Sequence, residues 1–173
     1  ANNTFTGDTT ISSGDLAVGG SGKLGGGSYN GAIAIASGST LSYSSSSSQT
    51  FSGSISGDGD IEKITSASST LTISGANSYT GGTVVSAGII KAGNSYSTGP
   101  PETDAFGTGS LTIATGAVLD LNGQTINNTT TISGTGISST GAITNSNATA
   151  ATISGNITLA ADSSIGGSNN VTL

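Results

Sequence analysis

This chain of 173 residues contains no cysteine, methionine, tryptophan or histidine, and its three basic residues are all lysines. Without cysteine there is no disulfide framework and no thiolate metal site. Without His or Cys the usual catalytic triads and dyads cannot be built. Only 7% of residues are charged, with nine acids against the three lysines and a net charge of −6. Phosphate binding needs clustered Lys or Arg, so nucleic acid is excluded as a partner. The same balance argues against attraction to anionic lipid. Apolar runs are a few residues long, far short of a membrane span, so direct membrane insertion of this segment is not expected. Prolines number two and aromatics 4%.

What fills the chain instead is 29 glycines, with Ser and Thr making up roughly a third of the residues. Low charge and polarity resemble disorder, but disordered chains are poor in β-branched residues. Here Thr, Ile and Val are abundant, and these suit a pleated, half-buried surface. The chain reads as ordered and all-β. It opens on Ala with no charged-then-apolar leader and ends on "NNVTL", half of a strand pair, so it is expected to be an excerpt of a larger protein.

Repeats organise it. Phe5–Gly19 aligns with Tyr79–Gly93. Ile33–Leu41 aligns with Leu111–Leu119, and "ISGDG" from Ile55 with "ISGTG" from Ile132, in the same order. The expected division is one β-helical segment over 1–173, made of two long repeats near 2–76 and 77–150 and a partial third at 151–173. Within each unit the period is two: "LTI" at Leu71–Ile73 and Leu111–Ile113, "LDL" at Leu119–Leu121, "ITL" at Ile157–Leu159, "VTL" at Val171–Leu173. Alternation puts two apolar side chains on one face and a polar one on the other. Gly, Asn and Ser turns interrupt the strands. Short strands at steady spacing fit a sandwich, a barrel or a solenoid, and the repeats favour the solenoid, whose coils share one core by stacking. At roughly 20–25 residues per coil the chain makes about seven or eight coils. In "SGANSYTGGTVVSAGIIKAG" (Ser74–Gly93), Gly81–Gly82 turn the chain, Gly88 and Gly93 make corners, and one member each of Val84/Val85 and Ile89/Ile90 faces inward.

Leu71–Gly93 followed by Ala105–Ile126 closely resembles the autotransporter-associated β-strand repeat of passenger regions in Gram-negative autotransporters and giant surface proteins. Asn77, Tyr79, Thr80, Gly81, Gly82, Thr83, Ala87 and Gly88 match its first block; Gly107, Gly109, Leu111, Ile113, Gly116, Ala117, Leu119, Asp120 and Leu121 match its second. The resemblance covers most of the chain and is weakest over Ser42–Gln49 and Thr140–Ala151. It implies a right-handed, single-stranded parallel β-helix (β-solenoid) outside the cell or at the bacterial surface, with passenger or adhesin architecture and no catalytic residues.

Three stretches stand apart from the repeat. "GDGDIE" puts Asp58, Asp60 and Glu62 at alternate positions; on one strand face they could hold Ca²⁺. In a turn, Asp and Gly are simply preferred, and a solvated turn is the favoured reading, with neighbouring Lys63 offsetting the acids' charge. No other cofactor is implied. "NSYSTGPPETDAFGTG" (Asn94–Gly109) is a loop: Pro100 and Pro101 cannot join a central ladder, and Tyr96, Glu102 and Asp104 decorate it. Loops on rigid scaffolds often bind, but an exposed connector is the favoured reading. "YSSSSSQT" (Tyr43–Thr50) reads as part of a coil in preference to a flexible linker.

The function expected is non-enzymatic: a stalk or scaffold in an autotransporter-like adhesin. Its partners are neighbouring β-helix coils, of the same protein or of further copies. The alternatives are a module binding host or cell-surface glycans, a self-associating filament or biofilm subunit, and a glycosidase, which would need two paired carboxylates.

Overall fold

Alternation of apolar and polar residues over three to five positions gives strands too short to form a core alone, and stacking them solves the problem. The computed structural model describes residues 3–65 and 69–173 and shows this solution: a parallel β-helix whose coils carry three faces. The first face is a seven-stranded sheet of Asp15–Val18, Thr40–Tyr43, Asp60–Lys63, Thr83–Val85, Leu111–Ile113, Thr130–Gly134 and Ile157–Ser163, stacked in chain order. The second has six strands: Ser28–Tyr29, Gln49–Phe51, Thr70–Ile73, Gly88–Ala92, Ala117–Asp120 and Ile143–Thr144. The third face is divided. Thr9–Ile11, Ile33–Ile35 and Ile55–Gly57 form one three-stranded sheet; Thr125–Ile126, Ala151–Ile153 and Val171–Thr172 form another. All named strand pairs are parallel, and apart from strands the described residues hold only two single-turn 3₁₀ helices. No helix is long and apolar enough to cross a membrane.

The core is a set of columns. On the first face one inward column runs Leu16, Leu41, Ile61, Thr83, Leu111, Thr130, Ile157. Its steps along the chain are unequal: Thr83 to Leu111 is a long coil and Leu111 to Thr130 a short one, yet the column stays aligned. The corners absorb the difference. The two threonines in this apolar column are satisfied: Tyr79 and Thr83 share a hydroxyl hydrogen bond of 2.6 Å, and Thr130 Oγ1 donates to Asn128 O at 3.1 Å. Four of the seven aromatic residues lie in the first coils, where Tyr29 and Tyr43 each meet Phe51 edge to face, 6.3 Å between ring centres. In the stretch Ser74–Gly93, Val85 and Ile90 are fully buried while Val84 is 37% exposed, as alternation requires.

Tight corners demand glycine where backbones touch. A Cβ on Gly53 would stand 2.1 Å from the carbonyl oxygen of Gly31 one coil below, and one on Gly109 would stand 1.9 Å from that of Gly81. Two corners of the helix are therefore glycine stacks, one through Gly31, Gly53 and Gly75, the other through Gly59, Gly81 and Gly109. The serine run Ser44–Ser48 is another corner, held to the coil below by Ser44 N–H on Val18 O (2.9 Å) and Ser46 N–H on Gly20 O (2.7 Å). It belongs to a coil.

The sequence repeat and the coil do not coincide. Thr9–Ile11 lies on the third face, but its match in the second repeat, Thr83–Val85, lies on the first. Asp15–Val18 (first face) matches into Gly88–Ala92 (second). Ile33–Ile35 (third) matches Leu111–Ile113 (first), and Ile55–Gly57 (third) matches into Thr130–Gly134 (first). Every matched block has moved on by one face. The repeating unit is thus strand, corner, strand, and it serves at two different corners of the solenoid.

Candidate functional site: a loop seated on a polar corner

The third face breaks between Ile55–Gly57 and Thr125–Ile126 because two coils present polar residues there. Asn77 sits fully buried in the first. Its Oδ1 accepts the N–H of Ile55 from the coil below at 2.8 Å, and its Nδ2 donates to Ala105 O of the coil above at 2.7 Å. The Asn77 amide thus adds to backbone bonds that persist between these coils, such as Ser78 N–H on Ile55 O and Thr80 N–H on Gly57 O, both 2.9 Å, and meets the requirement that buried polar groups be paired. Asn145 repeats the device higher up: Oδ1 accepts Gly123 N–H at 2.9 Å and Nδ2 donates to Asn170 O at 2.8 Å. Asn128 donates to the carbonyls of Phe106, Gly107 and Gly109.

The excursion foreseen around Pro100 and Pro101 leaves this corner. Ser97 and Thr103 pair antiparallel and close it, with N–H···O distances of 2.8 and 3.2 Å. Its first residues stand in for a missing strand beneath Thr125–Ile126: Tyr96 N–H donates to Thr125 O at 2.7 Å, and Thr125 N–H donates to Ser95 Oγ at 3.2 Å. Pro100 and Pro101 lie at the exposed tip, and Glu102 is exposed beside them.

Asp104 does the opposite of decorating the surface. It is 1% exposed and anchors the loop's end. Its backbone pairs with Asn77 below, its Oδ2 accepts Asn127 N–H from above at 2.8 Å, and its Oδ1 accepts Phe106 N–H at 3.2 Å. Burial pushes its carboxyl up to about 6, the amide hydrogen bonds only partly opposing this. Tyr96, Glu102 and Asp104 line a cleft of about 50 Å³ with Gly107, Thr108, Asn127 and Asn128. That is room for a few water molecules.

The acids at 58–62 are placed differently. Asp58 Oδ1 accepts the hydroxyl of Thr80 at 2.7 Å, and Asp60 Oδ1 accepts the N–H of Gly82 at 2.6 Å, both one coil above. Glu62 stands on the outer side of the Asp60–Lys63 strand. Among the described residues no three His, Cys, Asp or Glu converge on a point that could hold a metal. The same upward use recurs at Asp8 on Ala32 N–H and at Asp120 on Ser146 N–H. With Asp104, five of the nine acids therefore bond the coil above.

Lys63 does not offset its acidic neighbours, contrary to the sequence-based expectation. Strand alternation turns it inward, fully buried. Its Nζ donates to Thr65 O and, at 2.9 Å, to Ser69 Oγ, and lies 5.6 Å from the centre of the Tyr43 ring. Burial lowers its affinity for a proton. The period-two pattern Ile61–Lys63 already put it on the apolar side. Among the described residues the ion pair that forms is on the outer side of the second face, Lys91 to Asp120 at 3.2 Å, beside a groove of about 310 Å³ lined by Ile89, Val118, Ile137 and hydroxyl residues. Nothing in the sequence pointed to this groove, which exists because the segment around Ile137–Ser139 folds over the sheet.

Comparison with known proteins agrees with this architecture. The chain is 43% identical over 76 residues to the adhesin BmaC autotransporter of Brucella suis biovar 1 (strain 1330). That stretch is 43% of this chain but 2% of the relative's length. No solved structure matches. The family model that matches is the passenger-associated-transport-repeat, over residues 1–18 and 68–92, segments that include the strand–corner–strand units Thr9–Val18 and Thr83–Ala92. The chain therefore carries the passenger repeat of autotransporter proteins, at residues 1–18 and again at 68–92.

Proposed function

We propose that this chain is a length of extracellular scaffold in an adhesin-like autotransporter passenger: it supplies reach and rigidity at the bacterial surface and does no chemistry. The observation that carries this reading is the use of the side chains themselves. Five carboxylates and the amides of Asn77 and Asn145 are committed to bonds between successive coils. Residues that elsewhere would act on a ligand here hold the stack together. The adhesin relative supports the surface location.

A scaffold tolerates loss of a whole coil. Deleting residues 33–54 should place Ile55 over Thr9, where Ile33 now sits. The shortened chain should keep its β circular dichroism and a cooperative unfolding transition. In the surface-displayed passenger, replacing residues 98–102, the tip beyond the Ser97–Thr103 pair, by a short Gly-Ser turn should leave both display and adhesion unchanged. Adhesion lost with display intact would make the loop a binding module and overturn the scaffold reading.

A further inference from the structure

Beyond the scaffold reading, we infer that the cleft under the Ser97–Thr103 loop binds a calcium ion, held by Asp104, Glu102 and the amide oxygen of Asn128. The cleft lies in mid-stack. Asn77 pairs with Asp104 from the coil below, and Ser154 N–H donates to Ile126 O from the coil above at 2.9 Å. Asn128 is 3% exposed and lines the cleft. Its Nδ2 donates to the carbonyls of Phe106, Gly107 and Gly109, which fixes which end of the amide is nitrogen. Its Oδ1 is then a buried acceptor that no protein donor reaches. Such orphans are uncommon and call for a partner from outside the chain. Asp104 uses both carboxylate oxygens as acceptors, one for Phe106 N–H and one for Asn127 N–H, as an anion does. Glu102 brings a second carboxylate to the same cleft. No lysine lines it, and among the described residues neither acid has a salt bridge.

Water alone would give Asn128 Oδ1 a donor but the acids no counter-charge. A buried carboxylate is accommodated when it is paired or coordinates a metal. A cation meets both needs at once. The side-chain atoms able to coordinate one here are oxygens alone: two carboxylates, an amide oxygen and the hydroxyls of Tyr96 and Thr108. Hard oxygen ligands without imidazole or thiolate select calcium or magnesium over transition metals. Magnesium demands a near-ideal octahedron, whereas calcium accepts irregular oxygen sets completed by water. The cleft, about 50 Å³, has room for the ion and a little water. Two acids alone are short of a metal centre, and the third protein oxygen is an amide's. The ion joins Glu102 of the loop, Asp104 at its end and Asn128 beyond it, and so fastens the excursion to the stack.

Thermal unfolding of the chelator-treated chain against calcium chloride tests this, in a background of about 0.15 M sodium chloride that already screens the net charge. The titration should run past the range of weak extracellular calcium sites, about 10⁻⁴–10⁻³ M. Tm should rise with calcium, as mass action requires of an ion bound by the folded chain alone. Glu102→Gln changes an exposed side chain, so the fold should survive. It should weaken the apparent calcium affinity by about tenfold or more, since even an outer-shell partner of a metal carries that much. Asp58→Asn combined with Asp60→Asn should leave the response unchanged, because that turn is committed to Thr80 and Gly82. No calcium-dependent rise, an equal rise with extra sodium chloride, or a Glu102→Gln chain that responds like wild type would overturn the inference. So would a response lost with Asp58 and Asp60.

Discussion

Asn77 accepts the backbone N–H of Ile55, one coil below, at 2.8 Å. With its donation to Ala105 O it spans three coils. Asn77→Ala leaves a buried N–H and a buried C=O without partners. Each orphaned group costs about 1–3 kcal/mol, so urea unfolding should show a loss of about 2–5 kcal/mol. A change below about 1 kcal/mol would mean water or relaxation replaces the amide.

Asp104 makes stability depend on pH in an unusual direction. Its carboxyl is raised from 3.8 to about 6 by burial, so the folded state holds the proton more tightly than the unfolded chain does. The associated stability is fully present below about pH 4 and lost as pH rises through about 6. The span is on the order of 3 kcal/mol. Denaturant titrations at pH 7.5 and 5 should therefore find the protein more stable at pH 5, and Asp104→Asn should remove most of that difference. An unchanged pH difference in the variant would assign the effect elsewhere.

The glycine corners separate two kinds of cost. Gly53→Ala drives a Cβ to 2.1 Å from a backbone oxygen that cannot move without its coil, whereas at Gly38, with φ of +74°, a Cβ meets nothing. Gly38→Ala should cost roughly 1–2 kcal/mol, the penalty of left-handed backbone. Gly53→Ala should cost more than twice as much, read as the larger fall in Tm. Equal falls would show that the corner relaxes.

Lys63 is buried between Tyr43 and Val85 in the inward column. Replacing a buried charge by an apolar side chain of similar length is often neutral or stabilising. Lys63→Met should change unfolding free energy by less than about 1 kcal/mol, or raise it. Lys63→Glu, which buries the opposite charge beside Thr65 O, should cost more than about 3 kcal/mol. A strongly destabilised Lys63→Met would show that the ammonium's bonds are worth more than its burial costs.

Much of this was legible in residue order. Alternation over Leu111–Ile113 or Ile157–Leu159 names the inward side chains, because successive Cβ atoms must point to opposite sides of a strand. Gly81, Gly88 and Gly93 mark turns because few other residues accept their backbone or their crowding. The loop at Pro100 and Pro101 follows from their missing N–H groups. Lys63 was legible too, once its place two residues after Ile61 outweighed its charge.

What the sequence determined by itself is therefore the strand, its inner side, the corner and the repeat of the three. Only the tertiary structure decided which face each repeat occupies, that Asp104 turns inward to hold Asn127, and that Asn77 bridges three coils. The reason is that these depend on which residue lies above which. Coil advance is longer from Thr83 to Leu111 than from Leu111 to Thr130, and is set by how much chain each corner absorbs. In-out alternation is local and survives any change in corner length, whereas stacking is a sum over all the corners between two residues.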